Sequence, residues 1–277
     1  MSLMESMSEV AIGLKRSPGE ALRVALSKLS FPITPPNSEV PVVIKPSIYN
    51  PNLPGNTDVR MVQAVIKMFG SLGPVKVVES DNPRRKTMDA FKQCGYALLE
   101  NDHVGLINLS DEDMIPVTLP GQYFQDRRMP RILHNELFLI NVATLKAEPN
   151  ICTVGAGIKN LFGLLPELDK SVYHTSLDKV LMDLLIQYRP NLSVVDLTNV
   201  VIGNREDGKS TNIGGVVVGT DPVAVDAFCS SLLGVDPLKI DHLRLAHSLG
   251  LGEILIDRIN VRGTEHQVEE LNRLFKQ

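Results

Sequence analysis

An α/β fold, with a mainly parallel sheet flanked by helices, is predicted by the order of apolar segments along the chain. Short apolar runs of strand length, at residues 40–46, 74–79 and 192–197, alternate with segments whose apolar residues repeat at helical spacing. The loops between most of these segments are short. Strands and helices that alternate in this way form βαβ units, in which the strands lie parallel.

The first half of the chain begins with a predicted strand at residues 10–14. Ser17 followed by Pro18 then predicts a helix start, because serine caps a helix and proline fits its first position. The strands at residues 40–46 and 74–79 end near charged residues, Lys45 and Glu79. Helices are predicted after both strands, at residues 59–69 and 87–94.

A β-rich section follows at residues 103–141. Short runs at residues 104–109, 115–119 and 131–133 are separated by polar turns and show no strong helical stripe. We therefore expect strands, some of them antiparallel, at an edge of the sheet or in an inserted lobe.

The second half opens with an apolar strand at residues 137–142, followed by the sequence CTVGAGIKN. Thr264 and Gln267 have the spacing of a capping box for the last helix. The other predicted elements are strands at residues 192–197, 215–219 and 258–262 and helices at 177–188, 222–233 and 237–248. A single continuous α/β domain over residues 1–277 is expected, with two lobes at about residues 1–136 and 137–277 left open.

The overall composition excludes several classes of protein. Lysine and arginine number 28 against 32 acidic residues, so a formal charge of −4 predicts no nucleic-acid partner. No run of eighteen apolar residues is present, which predicts no membrane partner. The three cysteines form no CxxC pair, so we expect no intrinsic iron–sulfur cluster and a reducing, cytoplasmic location.

Charged side chains follow several of the predicted strands. Lys45, Glu79, Lys146 and Asp196 each lie at or just past the end of an apolar run. If the strands are parallel, these charges converge on one edge of the sheet, where lysines could hold an anion and Asp196 a divalent metal. The alternative is that strand ends simply emerge into water and carry charges for that reason.

The glycines Gly155 and Gly157 precede a predicted helix start that carries Lys159 and Asn160. Backbone N–H groups at such a start bind anions, and glycine permits close approach. The pattern is neither a dinucleotide fingerprint nor a P-loop, because the third glycine and the GK[ST] triplet are missing. An anion site is one interpretation, and an ordinary tight turn is the other.

His174 and Asp178 are four residues apart, so on a helix they would share a face. Such a pair suits proton transfer, with Asp178 orienting the imidazole, or metal binding. The alternative is that Thr175 and Asp178 cap the helix and leave His174 outside it. Asp221 and Asp226 are explained most simply as a helix cap and a first-turn acid, with a ligand-binding role left open.

Several motifs together resemble the family known as domain of unknown function 362. They are LFLINVATLK, KNLFGLLP, the lysine–histidine pair at residues 170 and 174, VVDLTN, and GTDPVAVDA. The resemblance as a whole extends over about residues 42–252. The resemblance implies a prokaryotic α/β protein of unsettled activity. The site residues that it implies are Lys45, Lys146, Lys159, Asn160, Lys170, His174, Asp196, Asp221 and Asp226.

The chain departs from this family pattern in two respects. Ala147 and Glu148 stand where the family usually has Thr-His, and the loop after Asp196 is longer than the usual compact glycine-rich stretch. Many family members also carry a ferredoxin-like segment with cysteine-ligated clusters, which this chain lacks. If this histidine is a ligand or a base in other members of the family, this protein binds its own ligand differently.

Three functional hypotheses follow from these patterns. The first is a protein that binds a small anionic molecule at the carboxyl edge of its sheet, with the question of whether it also transforms that molecule left open. Lys146, Lys159 and the N–H groups near Gly157 would hold the anion, and His174 would move a proton. The alternatives are a redox accessory protein that works with a ferredoxin-like partner, and a divalent-metal-binding protein. Cofactor identity and oligomeric state are not predicted.

Overall fold

A computed structural model describes residues 7–148, 152–207 and 209–275. The elements of the first part of the chain follow the predicted order, and their bounds are these: β1 Glu9–Gly13, α1 Pro18–Leu26, β2 Val42–Pro46, α2 Val59–Phe69, β3 Val75–Glu79, α3 Thr87–Gln93, β4 Val104–Asn108, β5 Met114–Thr118 and β6 Asp126–Pro130.

The second part of the chain contains longer strands and a short helix. Its elements are β7 Phe138–Glu148, β8 Cys152–Gly155, α4 Gly157–Asn160, α5 Leu177–Gln187, β9 Leu192–Ile202, β10 Val216–Gly219, α6 Pro222–Leu232, α7 Asp241–Ser248, β11 Asn260–Arg262 and α8 Glu265–Phe275. Single 3-10 turns connect several of them, among them Leu161–Leu164 and Ser171–Ser176.

Over the described residues, the main sheet has nine strands in the order β11-β1-β10-β9-β7-β2-β3-β4, with β8 paired to β7. The pairs β9–β7, β7–β2, β2–β3, β3–β4 and β1–β11 are parallel, which confirms the mainly parallel α/β sheet. β10 is antiparallel to both of its neighbours. Because β1 lies between β10 and β11, strands from both halves of the chain interleave in one sheet.

Both faces of the sheet are covered by helices. On β2, Val42 and Ile44 face one layer of helices, formed by α1 to α3, while Val43 faces the layer formed by α4 to α8. This alternation follows from the two-residue period of a strand, and burial on both faces explains why the strands are continuously apolar. The same period places Lys45 on the face of Val43, toward α4.

The β-rich section confirms its prediction of strands at a sheet edge, some of them antiparallel, and differs from it in one boundary. β4 is parallel to β3 and extends the main sheet, and only β5 and β6 form a separate antiparallel pair. Residues 131–133, predicted as a strand, form a 3-10 turn, and the strand instead precedes them at Asp126–Pro130. Because a two-stranded ribbon needs only one buried face, β6 can have the largely polar sequence DRRMP, and the apolar-run pattern therefore did not predict it.

Other boundaries also move. β9 continues to Ile202 beyond the predicted end at residue 197, because Val200 and Val201 are buried against β7. The capping box is confirmed: the Thr264 N–H donates to Gln267 and the Gln267 N–H donates to the Thr264 hydroxyl oxygen. Within the described part of the chain, every helix is too short or too polar to cross a membrane.

Candidate functional site

A cleft of about 360 Å³ lies where the carboxyl ends of four strands meet. Loops after β2, β3 and β9 contribute to its walls, and the β7–β8 pair and α4 complete it. β2, β3, β7 and β9 are joined by parallel pairing, so their carboxyl ends lie at one edge of the sheet. Ligands of open α/β sheets collect at this edge.

The structure brings together many, but not all, of the residues predicted for a site. Those that line the cleft are Lys45, Lys146, Gly155, Lys159, Asn160, Lys170 and His174. Those that are not part of its lining are Gly157, Asp178, Asp196, Asp221 and Asp226. The predicted convergence of lysines and a histidine on one cleft is therefore present, whereas most of the predicted carboxylates serve elsewhere.

Lys45 is fully buried in the wall of the cleft. Its ammonium group donates to Glu79 Oε2 at 2.8 Å and to the carbonyl oxygen of Pro46 at 2.7 Å. Burial lowers the pKa of Lys45, and the charge of Glu79 raises it. Arg85 lies 3.7 Å from the other oxygen of Glu79. One carboxylate therefore holds two cations beneath the cleft.

Lys146 reaches the cleft from β7, at the point where β7 pairs with β8. Its ammonium group donates to the carbonyl oxygen of Thr144 at 2.9 Å and to the Ser47 hydroxyl at 3.1 Å. The residue is only 6% exposed. These bonds hold the end of a long side chain in one place, so a contact made by its ammonium group would cost little further side-chain entropy.

Lys159 and His174 both contact the ring of Phe162. The ammonium nitrogen of Lys159 lies 4.1 Å from the ring centroid, and the imidazole of His174 stacks on the ring at 5.5 Å between centroids. Burial lowers the pKa of His174, as does the positive charge of Lys159, while Asp169 raises it. At neutral pH the imidazole is therefore mainly uncharged and able to accept a proton.

The predicted pairing of His174 with Asp178 does not form among the described contacts. His174 belongs to the 3-10 turn Ser171–Ser176, and α5 begins only at Leu177, so the two residues do not share one helix face. The predicted Thr175 cap is also absent, since Ser176 occupies the cap position without a side-chain hydrogen bond. The carboxylate whose charge acts on His174 is Asp169.

Lys170 enters the cleft from the segment before this turn. Its ammonium group donates to the carbonyl oxygens of Asp81 at 2.7 Å and Glu167 at 2.6 Å. Burial lowers the pKa of Lys170 to about 8, although the charges of Glu79 and Glu167 oppose this shift. Lys170 therefore ties the loop after β3 to the segment that carries His174.

The expected anion site near Gly157 is filled by the protein itself. The N–H groups of Gly157 and Ile158 donate to the two carboxylate oxygens of Asp226, at 2.8 Å and 2.9 Å. Asp226 is only 1% exposed, and burial raises its pKa to about 7. These N–H groups are therefore not available to a ligand, and the prediction that they would hold it is wrong.

Two further carboxylates also have structural partners. Asp221 caps α6 by accepting from the N–H groups of Val223 and Ala224. Asp196 is fully buried and accepts from Thr198 and from the Asp58 N–H. Across residues 7–148, 152–207 and 209–275, histidine, cysteine, aspartate and glutamate side chains form no group of three that could hold a metal. The metal role predicted for Asp196 gains no support from this geometry.

Asn160 links the cleft to the sheet. Its amide nitrogen donates to the Lys45 carbonyl oxygen at 3.0 Å and to Asn141 Oδ1 at 2.7 Å.

Ala147 and Glu148, where the chain departs from the family pattern, lie at the end of β7. The side chain of Glu148 lies outside the described part of the structure.

Sequence reasoning missed several residues of the cleft, and some of them carry positive charge. Arg84, Arg85 and Arg205 line it, as do the aromatic side chains of Tyr49 and Phe162. The guanidinium of Arg205 lies over the Tyr49 ring, 4.7 Å from its centroid. The available signal was the pair of arginines soon after β3, which follows the same strand-end rule as Lys45.

Comparisons with known proteins add a family to this geometry. A thylakoid-associated protein of Synechocystis sp. is 25% identical over 227 residues, which cover 76% of this chain and 68% of that protein. The solved lactate racemase apoprotein from Thermoanaerobacterium thermosaccharolyticum matches at 12% identity and a TM-score of 0.42, covering 100% of this chain and 84% of that chain. The family described as domain of unknown function (DUF362) matches residues 42–231, which is more than half of the chain. The chain therefore belongs to the DUF362 family.

Proposed function

We propose that the cleft binds a small organic anion, with a carboxylate or phosphate group held by its basic side chains. The observation that carries this proposal is the charge of the lining. Among the described residues that line the cleft, seven are lysines or arginines and three are aspartates or glutamates. A concave site with one predominant sign of charge attracts ligands of the opposite sign.

The acids of the lining do not cancel this excess. Glu79 is already bonded to Lys45 and lies near Arg85. Glu206 lies at the exposed rim, 4.0 Å from Arg84. An anion that enters the cleft would therefore meet ammonium and guanidinium groups that outnumber the carboxylates, and charge-assisted hydrogen bonds to such groups are the strong ones.

The lining also favours a ligand with a flat part. The imidazole of His174 and the guanidinium of Arg205 are both planar, and each is supported by an aromatic ring, Phe162 or Tyr49. Planar groups stack favourably on such supported surfaces. A conjugated carboxylate or a phosphate attached to a ring would use both features of the cleft.

His174 supports proton transfer as a second candidate function. Its lowered pKa leaves the imidazole uncharged at neutral pH, and it lines the same cleft as the lysines. A bound anion with an acidic C–H or O–H next to its carboxylate could lose a proton to this imidazole, while the lysines stabilise the charge that forms. The redox accessory and metal-binding hypotheses stay predictions.

The test is a thermal-shift titration with sulfate, phosphate and a series of mono- and dicarboxylates, against sodium chloride at matched ionic strength. Binding to the folded state raises the melting temperature with ligand concentration. We expect stabilisation of the wild type and a loss of about tenfold in affinity for Lys159→Ala. The matched control is Lys67→Ala, at an exposed position of α2 outside the cleft. No specific stabilisation by any anion, or equal losses in both variants, would reject the proposal.

A further inference from the structure

The helix α4 is short, yet it carries two residues of the cleft. It consists of four residues, Gly157–Asn160, and Lys159 and Asn160 both line the cleft. A helix of one turn is not stable by itself, because nucleation fixes several dihedral angles for few hydrogen bonds. The position of Lys159 and Asn160 therefore depends on what holds α4 from outside.

Two side chains on other elements form three hydrogen bonds with this helix. Asp226 on α6 accepts from the N–H groups of Gly157 and Ile158, at 2.8 Å and 2.9 Å. Asn141 on β7 donates to the Gly157 carbonyl oxygen at 2.6 Å. Of these contacts, only the two to Asp226 involve an ionisable group, and hydrogen bonds to an ionised carboxylate are about twice as strong as neutral ones.

The fit between Asp226 and α4 is tight. A Cβ atom at Gly157 would lie 3.0 Å from Asp226 Oδ1 and 3.4 Å from the amide nitrogen of Asn141. Glycine thus permits the carboxylate to approach the backbone closely. Because Asp226 is almost completely buried and does not line the cleft, a ligand in the cleft would not touch it.

We propose that Asp226 is a positioning residue for the cleft: it fixes the start of α4 and thereby places Lys159 and Asn160 against the ligand. This inference rests on the proposed anion-binding function. It assigns Asp226 a role that differs from the ligand contact expected from the sequence. The carboxylate acts on the ligand through the backbone of α4 and through no direct contact.

A purely electrostatic effect of Asp226 and a positioning effect predict opposite changes in anion affinity, so the direction of the change distinguishes them. Above about pH 7 the Asp226 carboxyl is mainly ionised, and removal of its negative charge near an anion site should then tighten anion binding. If Asp226 acts by positioning, Asp226→Asn should weaken binding, because the amide has one acceptor oxygen and turns an N–H donor toward a backbone N–H. The same shape and volume are kept, so packing is little changed.

The experiment measures the affinity for sulfate by calorimetry in the wild type, Asp226→Asn, Lys159→Ala and the double variant. We expect Asp226→Asn to bind between about threefold and about a hundredfold more weakly than the wild type. In the Lys159→Ala background most of this effect should disappear, because positioning acts through Lys159. Equal or tighter binding by Asp226→Asn, or an undiminished effect in the double variant, would overturn the inference.

The matched control is Asp183→Asn. Asp183 is also fully buried, and its carboxylate accepts from the N–H groups of Gln122, Tyr123 and Phe124. It does not line the cleft. We expect this variant to lose stability and to keep the wild-type affinity for sulfate at temperatures where it is folded. If Asp226 only stabilised the fold, Asp226→Asn and Asp183→Asn would have the same effect on the affinity for sulfate. A loss of affinity in Asp226→Asn alone therefore separates positioning from a purely structural role.

A second measurement needs no ligand. Because the Lys159 ammonium lies over the Phe162 ring, the neighbouring methylene protons should show an upfield ring-current shift in NMR spectra. This shift should decrease in Asp226→Asn and persist in Asp183→Asn. If the wild type fails to bind sulfate but the shift still decreases, the proposed function fails and the positioning role stands. If the wild type binds sulfate but Asp226→Asn changes neither the affinity nor the ring-current shift, the positioning role fails and the proposed function stands.

Should Asp226→Asn fail to fold, Gly157→Ala replaces it. The added methyl group would push α4 away from Asp226 by a few tenths of an ångström and leave every charge in place. We expect weaker sulfate binding and a smaller ring-current shift from this variant as well. Wild-type values for both measurements would overturn the inference.

Discussion

The ammonium nitrogen of Lys45 lies 2.8 Å from Glu79 Oε2, and the two side chains are only 1% and 4% exposed. This buried ion pair joins the ends of β2 and β3 beneath the cleft. A buried charge is costly unless it is paired and hydrogen-bonded, and Glu79 also accepts from the N–H groups of Ile48 and Ser80. The pair thus fixes the wall of the cleft while leaving an excess of positive charge around it.

The first prediction concerns this pair. Glu79→Gln leaves the Lys45 ammonium without its counter-charge, so we expect a loss of about 3–5 kcal/mol in the free energy of unfolding, measured by urea denaturation. The control is Glu206→Gln, whose side chain is 48% exposed and whose partner Arg84 is 4.0 Å away. That variant should lose less than about 1 kcal/mol. Similar losses in both variants would contradict a structural role for the buried pair.

The second prediction concerns the close approach of Gly163. A Cβ atom there would lie 2.6 Å from Lys45 Nζ and 2.7 Å from Glu79 Oε1. Gly163→Ala should therefore displace the buried pair and cost about 1–3 kcal/mol of stability. As a control, Gly19→Ala on α1 has room for its methyl group, with Ala64 Cβ at 3.6 Å. It should be neutral or stabilise by up to about 1 kcal/mol. A neutral Gly163→Ala variant would show that the pair can move freely.

The third prediction is a pH dependence of stability caused by Asp196. Burial raises the pKa of its carboxyl to about 6, although hydrogen bonds from Thr198 and Asp58 oppose this. In the unfolded chain the carboxyl titrates near pH ~4, so the native state binds more protons between about pH 4 and about pH 6. The stability that this group contributes is complete below the lower value and is lost as the pH rises through the upper one.

Asp196→Asn removes this contribution to the pH dependence. Between about pH 4 and about pH 7, the variant should therefore lose less free energy of unfolding than the wild type, by on the order of 2 kcal/mol. The control Asp113→Asn, whose side chain is 85% exposed, should follow the wild type. Asp226 has a raised pKa in all three proteins, so it does not affect the comparison. Parallel curves for wild type and Asp196→Asn would refute the prediction.

The fourth prediction tests the flat surfaces of the cleft. Benzoate and cyclohexanecarboxylate have the same charge and similar size, but only benzoate is planar. We expect benzoate to bind more tightly, by about two- to tenfold, because it can stack on His174. His174→Ala should remove the preference, and His103→Ala, on the exposed surface outside the cleft, should retain it. Competition calorimetry against sulfate provides both affinities. An equal preference in all three proteins would place any stacking elsewhere.

Much of the fold could be predicted because its signals are local. Short apolar runs identify β2 and β3, helical spacing identifies α2, and the Thr264–Gln267 capping box depends on residues three apart. β6 and the end of β9 were missed, since DRRMP has little apolar character and residues 200–202 follow the polar residues Thr198 and Asn199. β6 is determined by pairing with β5, the strand just before it, and the end of β9 by pairing with β7, which is distant in the sequence.

The sequence by itself determined which basic residues follow which strands. Because parallel pairing brings the carboxyl ends of neighbouring strands to one edge of the sheet, this order also determined that basic residues at those ends would lie close together. Lys45 and Lys146 meet in one cleft for this reason, and Lys159 reaches the same cleft from α4. Only the tertiary structure decided which polar groups face the cleft and which satisfy one another. Asp226 bonds to α4 and Asp196 bonds to Thr198 because a buried carboxylate must find donors, and the nearest donors are set by packing between segments far apart in the chain.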